Sequence, residues 1–211
     1  MAKRKTAAYS KNVFINCPFD DEYTPIFEAI VFTISMCGFR PICARERLNS
    51  AEVRLDKLIE LIGDAKYSIH DLSRTTPDTG TGNPRFNMPF ELGLDLGCQR
   101  FARAYSDKWA LIFATTRYEY QKFLSDIAGQ DIKEHHGETR KAIAGVRSFL
   151  APHCDFPPLG AAKIESQYVN FRSDLPDILR EAGIEAAEME FTDLTWAVLR
   201  WTEKLSSPSP G

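Results

Sequence analysis

Val13-Phe14-Ile15-Asn16-Cys17-Pro18 opens the part of the chain that decides its fold: a short β-branched and aromatic run, stopped by a polar residue and a proline, reads as a strand and its end. Glu22–Cys37 follows with Ile26, Ala29, Ile30, Thr33 and Met36 at helical spacing, and Gly38 stands where a helix-ending glycine belongs. Phe39–Cys43 is a second strand running into the polar turn Arg45-Glu46-Arg47. Asn49 or Ser50 is placed to cap the next helix, in which Val53, Leu55, Leu58, Ile59 and Ile62 are expected to face inward before Gly63 closes it. Tyr67–His70 is a third strand leading into Asp71-Leu72-Ser73. A loop rich in glycine and proline runs from Arg74 to Arg85, too long for a mere connector and so expected to be functional. Asn87 is placed to cap a helix with Pro89 in its first turn, continuing to about Arg103, and Trp109–Ala114 is a fourth strand. Tyr118–Leu124 and Glu138–Leu150 read as helices separated by the polar stretch Ser125–Gly137. Strands alternating with helices imply right-handed crossovers and a mostly parallel sheet covered on both faces, a three-layer α/β domain.

Outside this core, residues 1–11 are an N-terminal tail, the α/β domain spans 12–150, and the prolines and glycine at Pro152, Pro157, Pro158 and Gly160 mark a break. Ala161–Phe171, Leu175–Ala182 and Asp193–Leu205 are three expected helices, with Ser173, Gly183 and Thr192 as their caps. Together 151–205 form a helical extension packed on the sheet domain, because about 50 residues bury too little to stand alone; 206–211 is a frayed tail. The 211 residues carry Lys+Arg 26 against Asp+Glu 29, a formal charge of −3. Phosphate neutralisation along a nucleic acid needs a surplus of cations, so a direct nucleic-acid partner is not expected, and Lys3-Arg4-Lys5 reads as a solvated tail. The five cysteines are odd in number and scattered, no signal sequence precedes them, and the longest apolar stretch carries Glu28. Reduced thiols in a cytoplasmic protein without a membrane partner are the expectation.

In an open parallel sheet, ligands bind beyond the carboxyl ends of the strands. Asn16, Cys17, Pro18 and Asp20 follow the first strand, Arg45 and Glu46 the second, and Asp71 and Ser73 the third, with Arg85 and Asn87 leading to Glu91. Neither a glycine-rich dinucleotide fingerprint nor a phosphate-loop lysine is present. Glu91 shares a helix face with Asp95 and Cys98 and falls within reach of Asp71, while Gly93 and Gly97, four apart, suggest a close helix approach. Acidic residues are also favoured in a first turn by the helix dipole alone. His70 alternates to the face opposite Asp71 and reads as a satisfied strand histidine. Cys17 reads as a small buried thiol rather than a nucleophile, and Phe14 and Phe19 as core aromatics or as stacking platforms. Asp131 and His135, four apart, could share a helix face and hold a metal with Asp126. Adjacent histidines point apart, however, and no H-E-x-x-H is present, so no metal is expected, and Asp126–Asp131 is placed over the strand ends or as a cap.

The strings Val13–Phe19, Ile69-His70-Asp71-Leu72-Ser73 and Arg85-Phe86-Asn87-Met88-Pro89-Phe90-Glu91-Leu92-Gly93 resemble the TIR-like and nucleoside 2-deoxyribosyltransferase-like superfamily over roughly residues 12–150. More narrowly, they resemble small bacterial TIR-like proteins associated with anti-phage defence. The resemblance implies a flavodoxin-like sheet and cleavage of N-glycosidic bonds, with Glu91 as the helix glutamate and Asp71 as the strand-end aspartate. Pro89-Phe90 stands where eukaryotic TIR domains carry Trp-Cys, and neither group requires the helical extension. The implied activity is that of an NAD glycohydrolase, with NAD as substrate and no cofactor, working as a homo-oligomer. The alternatives are a nucleotide-sensing or assembly module without turnover, and a nucleoside deoxyribosyltransferase or hydrolase. The residue types suit the chemistry. A carboxylate stabilises or captures the oxocarbenium-like centre formed as a ribose–nitrogen bond breaks. Nicotinamide leaves neutral, whereas a deoxynucleoside base needs an acid, a role for Asp71 if a neighbour raised its pKa. Asn16, Ser73 and Asn87 suit ribose hydroxyls, Arg45 and Arg85 suit phosphates, and Phe19 suits a stacked ring.

Overall fold

A computed structural model describes residues 5–46, 49–74 and 85–206. Five parallel strands, β1 (Asn12–Asn16), β2 (Arg40–Cys43), β3 (Tyr67–Asp71), β4 (Trp109–Ala114) and β5 (Lys133–Glu134), lie in the order β2-β1-β3-β4-β5. This is the flavodoxin-like order, in which the chain moves outward from β1 to β2 and returns across it to β3, so that a crevice opens between the ends of β1 and β3. The α/β sandwich expected from the alternation is present.

Alternation along the strands divides the core in two. Val13, Ile15, Ile69, Leu111 and Phe113 point to one face, against α1 (Thr24–Met36) and α4 (Thr139–Leu150). Phe14 and Ile42 point to the other, against α2 (Arg54–Gly63), and there Ile112 and Ala114 meet the apolar side of α3 (Asn87–Phe101). Phe14 is therefore a core residue. The extension forms a further layer outside α1 and α4. It consists of α5 (Ala161–Glu181) and α6 (Phe191–Ser206), whose Ile164, Phe171, Leu175, Leu194 and Trp201 join the same cluster as the sheet. Phe32 of α1 is the joint, with ring centroids 5.2 Å from Phe171 and 5.6 Å from both Tyr168 and Trp201.

Several local expectations are corrected. The two helices expected over Ala161–Phe171 and Leu175–Ala182 are one, passing through Pro176. Its buried stripe Ile164, Tyr168, Phe171, Leu175, Ile178 continues in steps of four and three, and burial along that stripe outweighs one missing backbone donor, so Ser173 caps nothing. In α2 only Leu58, Leu61 and Ile62 are buried; Val53, Leu55 and Ile59 are exposed because the helix lies at the β2 edge of the sheet and meets it along a narrow stripe. Its start at Arg54, after extended Val53, leaves Asn49 and Ser50 outside the cap position. Asn87 is the first residue of α3 and does not cap it; Phe86 stands at the cap position without a side-chain bond. A Cβ at Gly93 would meet nothing within 4 Å and one at Gly97 only the Phe101 ring at 4.0 Å, so neither glycine marks a close approach. That role falls to Gly145, where a Cβ would lie 2.7 Å from the Phe113 ring. Tyr118–Leu124 holds a short 3-10 turn, and the polar stretch after it contains β5. Gly38 does end α1, at φ 79°.

Candidate functional site

The site is built where β1 and β3 end. Alternation sends Ser68 and His70 toward α3 and Asp71 to the opposite face, where its carboxylate is fully enclosed. Tyr23, in the turn before α1, donates its hydroxyl to Asp71 Oδ2 at 2.6 Å, and the Ser73 amide donates to Oδ1 at 2.8 Å. The third donor is His135. The two-residue strand β5 pairs with Phe113 and Ala114, and the His135 amide extends that ladder to the Ala114 carbonyl at 3.1 Å, which holds the ring beside the end of β3. Gly137, at φ 74°, donates its amide to His135 Nδ1 at 3.0 Å. Nδ1 is thereby an acceptor, and the ring hydrogen sits on Nε2, which faces Asp71 Oδ2 and Ser73 Oγ, each at 2.9 Å. Serine and aspartate share one ring nitrogen, so this is not a nucleophilic triad, in which they occupy opposite nitrogens. Burial would push the Asp71 carboxyl up, but the His135, Ser73 and Tyr23 hydrogen bonds outweigh it and hold Asp71 below its ordinary value. The raised, acid-like Asp71 considered from the sequence is not what forms.

Across the sheet, a second buried network fastens α3. Asn16 Nδ2 donates to His70 Nδ1 and to the Met88 carbonyl in the first turn of α3, both at 2.9 Å. His70 Nε2 meets Asp95 Oδ2 at 3.0 Å, Ser68 Oγ donates to the same oxygen at 2.5 Å, and Lys108 Nζ lies 3.0 Å from Oδ1. Lys108 also donates to the carbonyls of Ile62 and Ala65 at 2.8 and 2.5 Å, closing the end of α2. Burial acts against the Asp95 charge, yet His70, Lys108 and Ser68 hold its carboxyl at about 2.

Glu91 lies one turn before Asp95 on the same helix and is only 7% exposed, yet it makes no hydrogen bond or ion pair with another described residue. Burial pushes its carboxyl up to about 7, with the charge of Arg54 acting in the opposite direction. The Cys17 thiol, just past the end of β1, lies within the field of Asp71, Glu91 and Arg45 at once. Burial first, then Asp71, Cys43 and Glu91, push Cys17 well up, so it remains a protonated, enclosed thiol.

The other expected site residues separate into two groups. Asn16 is 3% exposed and occupied by His70 and Met88; Ser73 belongs to the Asp71 cluster. Phe19, 40% exposed, lies under the Arg45 guanidinium at 5.4 Å, and Asn87 is exposed. Arg85 donates to Asp20 at 3.0 Å, beside Arg74, which grips the same carboxylate at 2.9 and 3.2 Å. This junction ties the start and finish of the 74–85 loop to the β1–α1 turn, while residues 75–84 of that loop lie outside the described residues. Tyr23 and His135 were not assigned to the site from the sequence, and the weak signal for His135 was a histidine following the strand-like Ile132-Lys133. Of the residues weighed for a metal, Asp131 pairs with Lys133 at 3.0 Å and His135 with Asp71 at 2.9 Å, and among the described residues no three His, Cys, Asp or Glu side chains could hold an ion together. Among the same residues no helix is long and apolar enough to cross a membrane.

Two carboxyls at one end of the sheet thus have their affinities for protons driven apart by their surroundings, the arrangement that assigns different roles to like groups. No family model matches this chain, and neither does any curated protein or solved structure.

Proposed function

We propose that the chain is an N-glycosidase that cleaves the bond between ribose and nicotinamide in NAD, with Glu91 as the catalytic carboxylate and Asp71 as a positioning residue. The observation that carries this reading is a glutamate at the switch point of the sheet that is buried and bonds to no other described residue. A carboxylate desolvated in that way is costly to ionise, and a cation placed over it removes the cost. The pyridinium of NAD is such a cation. As the C1′–N bond breaks, its electron pair returns to the ring nitrogen and nicotinamide leaves neutral. Glu91 stabilises the oxocarbenium-like centre or bonds to C1′, and water then delivers hydroxyl to C1′ and releases a proton.

The state of Asp71 favours this substrate over a deoxynucleoside. A departing base needs a proton, and Asp71 is ionised, enclosed and already bonded to three donors. Activity in assemblies belongs to the same proposal: β5 pairs only with Phe113 and Ala114, so Trp109–Ile112 leave the outer edge of β4 free of a strand partner among the described residues.

The experiment is separation of small-molecule products after incubating concentrated protein with NAD, and separately with deoxynucleosides, beside Glu91→Gln. Nicotinamide release reduced about 1,000-fold or more in the variant is the expected result. The pH profile of kcat/KM should rise through about 7, where free Glu91 ionises; that of kcat should inflect at lower pH, because the bound cation favours the carboxylate. Free-base release from deoxynucleosides, or nicotinamide release indifferent to Glu91→Gln, would overturn the assignment.

A further inference from the structure

A cavity of about 500 Å³ lies between the β1–α1 turn and the helical extension, with Phe19, Phe27 and Arg45 on one side and Arg172, Met189 and Phe191 on the other. Its size is that of a small-ligand site. An aromatic row leads into it: the Arg45 guanidinium lies 5.4 Å from the Phe19 ring, Phe19 meets Phe27 edge-on at 5.4 Å, and Phe27 lies 5.9 Å from Phe191 of α6. The polar groups are of both signs and include Asp21 and Thr24. Glu28, 2% exposed on α1, accepts from Arg172 of α5, and Glu190 lies at the rim. Arg45 makes no ion pair with a described residue, so its guanidinium is open to an anion.

Arg45 faces two ways. On one side its charge reaches the Cys17 thiol just past the end of β1; on the other it lines the cavity. We infer that the cavity is a purine-nucleotide pocket, in which the base lies against Phe19, Phe27 and Phe191, and the phosphate meets Arg45. Planar rings of that kind gain from aromatic and apolar walls and need both donors and acceptors at their edge, which Arg172, Glu28 and Glu190 supply. A guanidinium fork suits phosphate oxygens. The inference rests on the proposed function in one respect: if Glu91 holds the nicotinamide riboside half of NAD, this pocket holds the adenylate half, and the extension then selects dinucleotides over mononucleotides.

The test uses AMP as the probe, in titration calorimetry on the full chain. Wild type and Glu91→Gln should bind AMP with equal affinity, Arg45→Ala about tenfold more weakly, and Ala187→Trp, which fills the cavity from an exposed lining position, not at all. Circular dichroism of Ala187→Trp checks that its fold is kept. In turnover assays, the ratio of kcat/KM for NAD to that for nicotinamide mononucleotide should fall toward one in Ala187→Trp. Absence of AMP binding to wild type, or binding unchanged by both pocket substitutions, overturns the inference; if nicotinamide is still released in a Glu91-dependent way, the glycosidase reading survives it. AMP binding that obeys the pocket substitutions, without any nicotinamide release, supports the pocket and sinks the glycosidase.

Discussion

Glu91 and Asp95 stand one turn apart on the same helix, both buried, and their circumstances are opposite. Asp95 is held by His70, Ser68 and Lys108, and its carboxyl lies at about 2. Glu91 bonds to no other described residue, and its carboxyl lies at about 7. Asp71, on the far side of the sheet, resembles Asp95: three donors surround it. A folded chain buries charge safely only when it supplies the partners, and at two of these three positions it does. At the third, Glu91, no described residue supplies one. That difference separates the two carboxylates held by partners from the one that the described residues leave unpaired.

The comparison is broken most directly at Asp95. Asp95→Ala strands His70, Ser68 and Lys108 in the interior, a loss of about 4 kcal/mol on the scale of a broken buried ion pair, and thermal unfolding should show a melting temperature lower by roughly 10 °C. A drop near zero would mean that the network is ornamental. Next comes Glu91→Gln, whose effect depends on pH. Because the folded carboxyl is raised from 4.5 to about 7, the native protein binds the extra proton and loses stability as pH rises between those values. Denaturant titrations should therefore show Glu91→Gln gaining on wild type by about 3 kcal/mol between pH 4.5 and pH 8. A gap that does not change with pH would show that Glu91 has a partner after all. Asp71 has the opposite sign: its depressed carboxyl contributes stability above its ordinary value of 3.8, lost as pH falls through the folded one. Tyr23→Phe, which removes one donor from that carboxylate, should cost about 2 kcal/mol and weaken acid resistance. Smallest of all, Ile59→Lys should stay within about 0.5 kcal/mol, since Ile59 is 52% exposed; a loss above 1 kcal/mol in the same titration would mean that this face is covered.

Much of the frame was legible from local pattern. The β-branched run at Val13–Ile15, the helical spacing after it and the glycine at Gly38 each report backbone preference, and each sits where expected. Alternation also placed His70 opposite Asp71 correctly. Local pattern misled where burial depended on a distant surface. Val53, Leu55 and Ile59 have the spacing of a buried face, yet α2 lies at a sheet edge with too little surface to cover them. Pro176 and Ser173 have the chemistry of a break, yet the apolar stripe of α5 runs past them into a waiting core. β5 is two residues long and carries no periodicity to read.

Sequence alone therefore determined the alternation of strands and helices from β1 to β4 and the parallel sheet that it implies, because φ/ψ preference and the two hydrophobic periods are properties of neighbouring residues. Only the tertiary structure decided that His135 and Tyr23 close around Asp71, that Asp71 is the ionised carboxyl and Glu91 the raised one, and that the helical extension walls a cavity against the β1–α1 turn. Proton affinity follows from desolvation and from partners remote in the chain, and neither is written in the spacing of nearby residues.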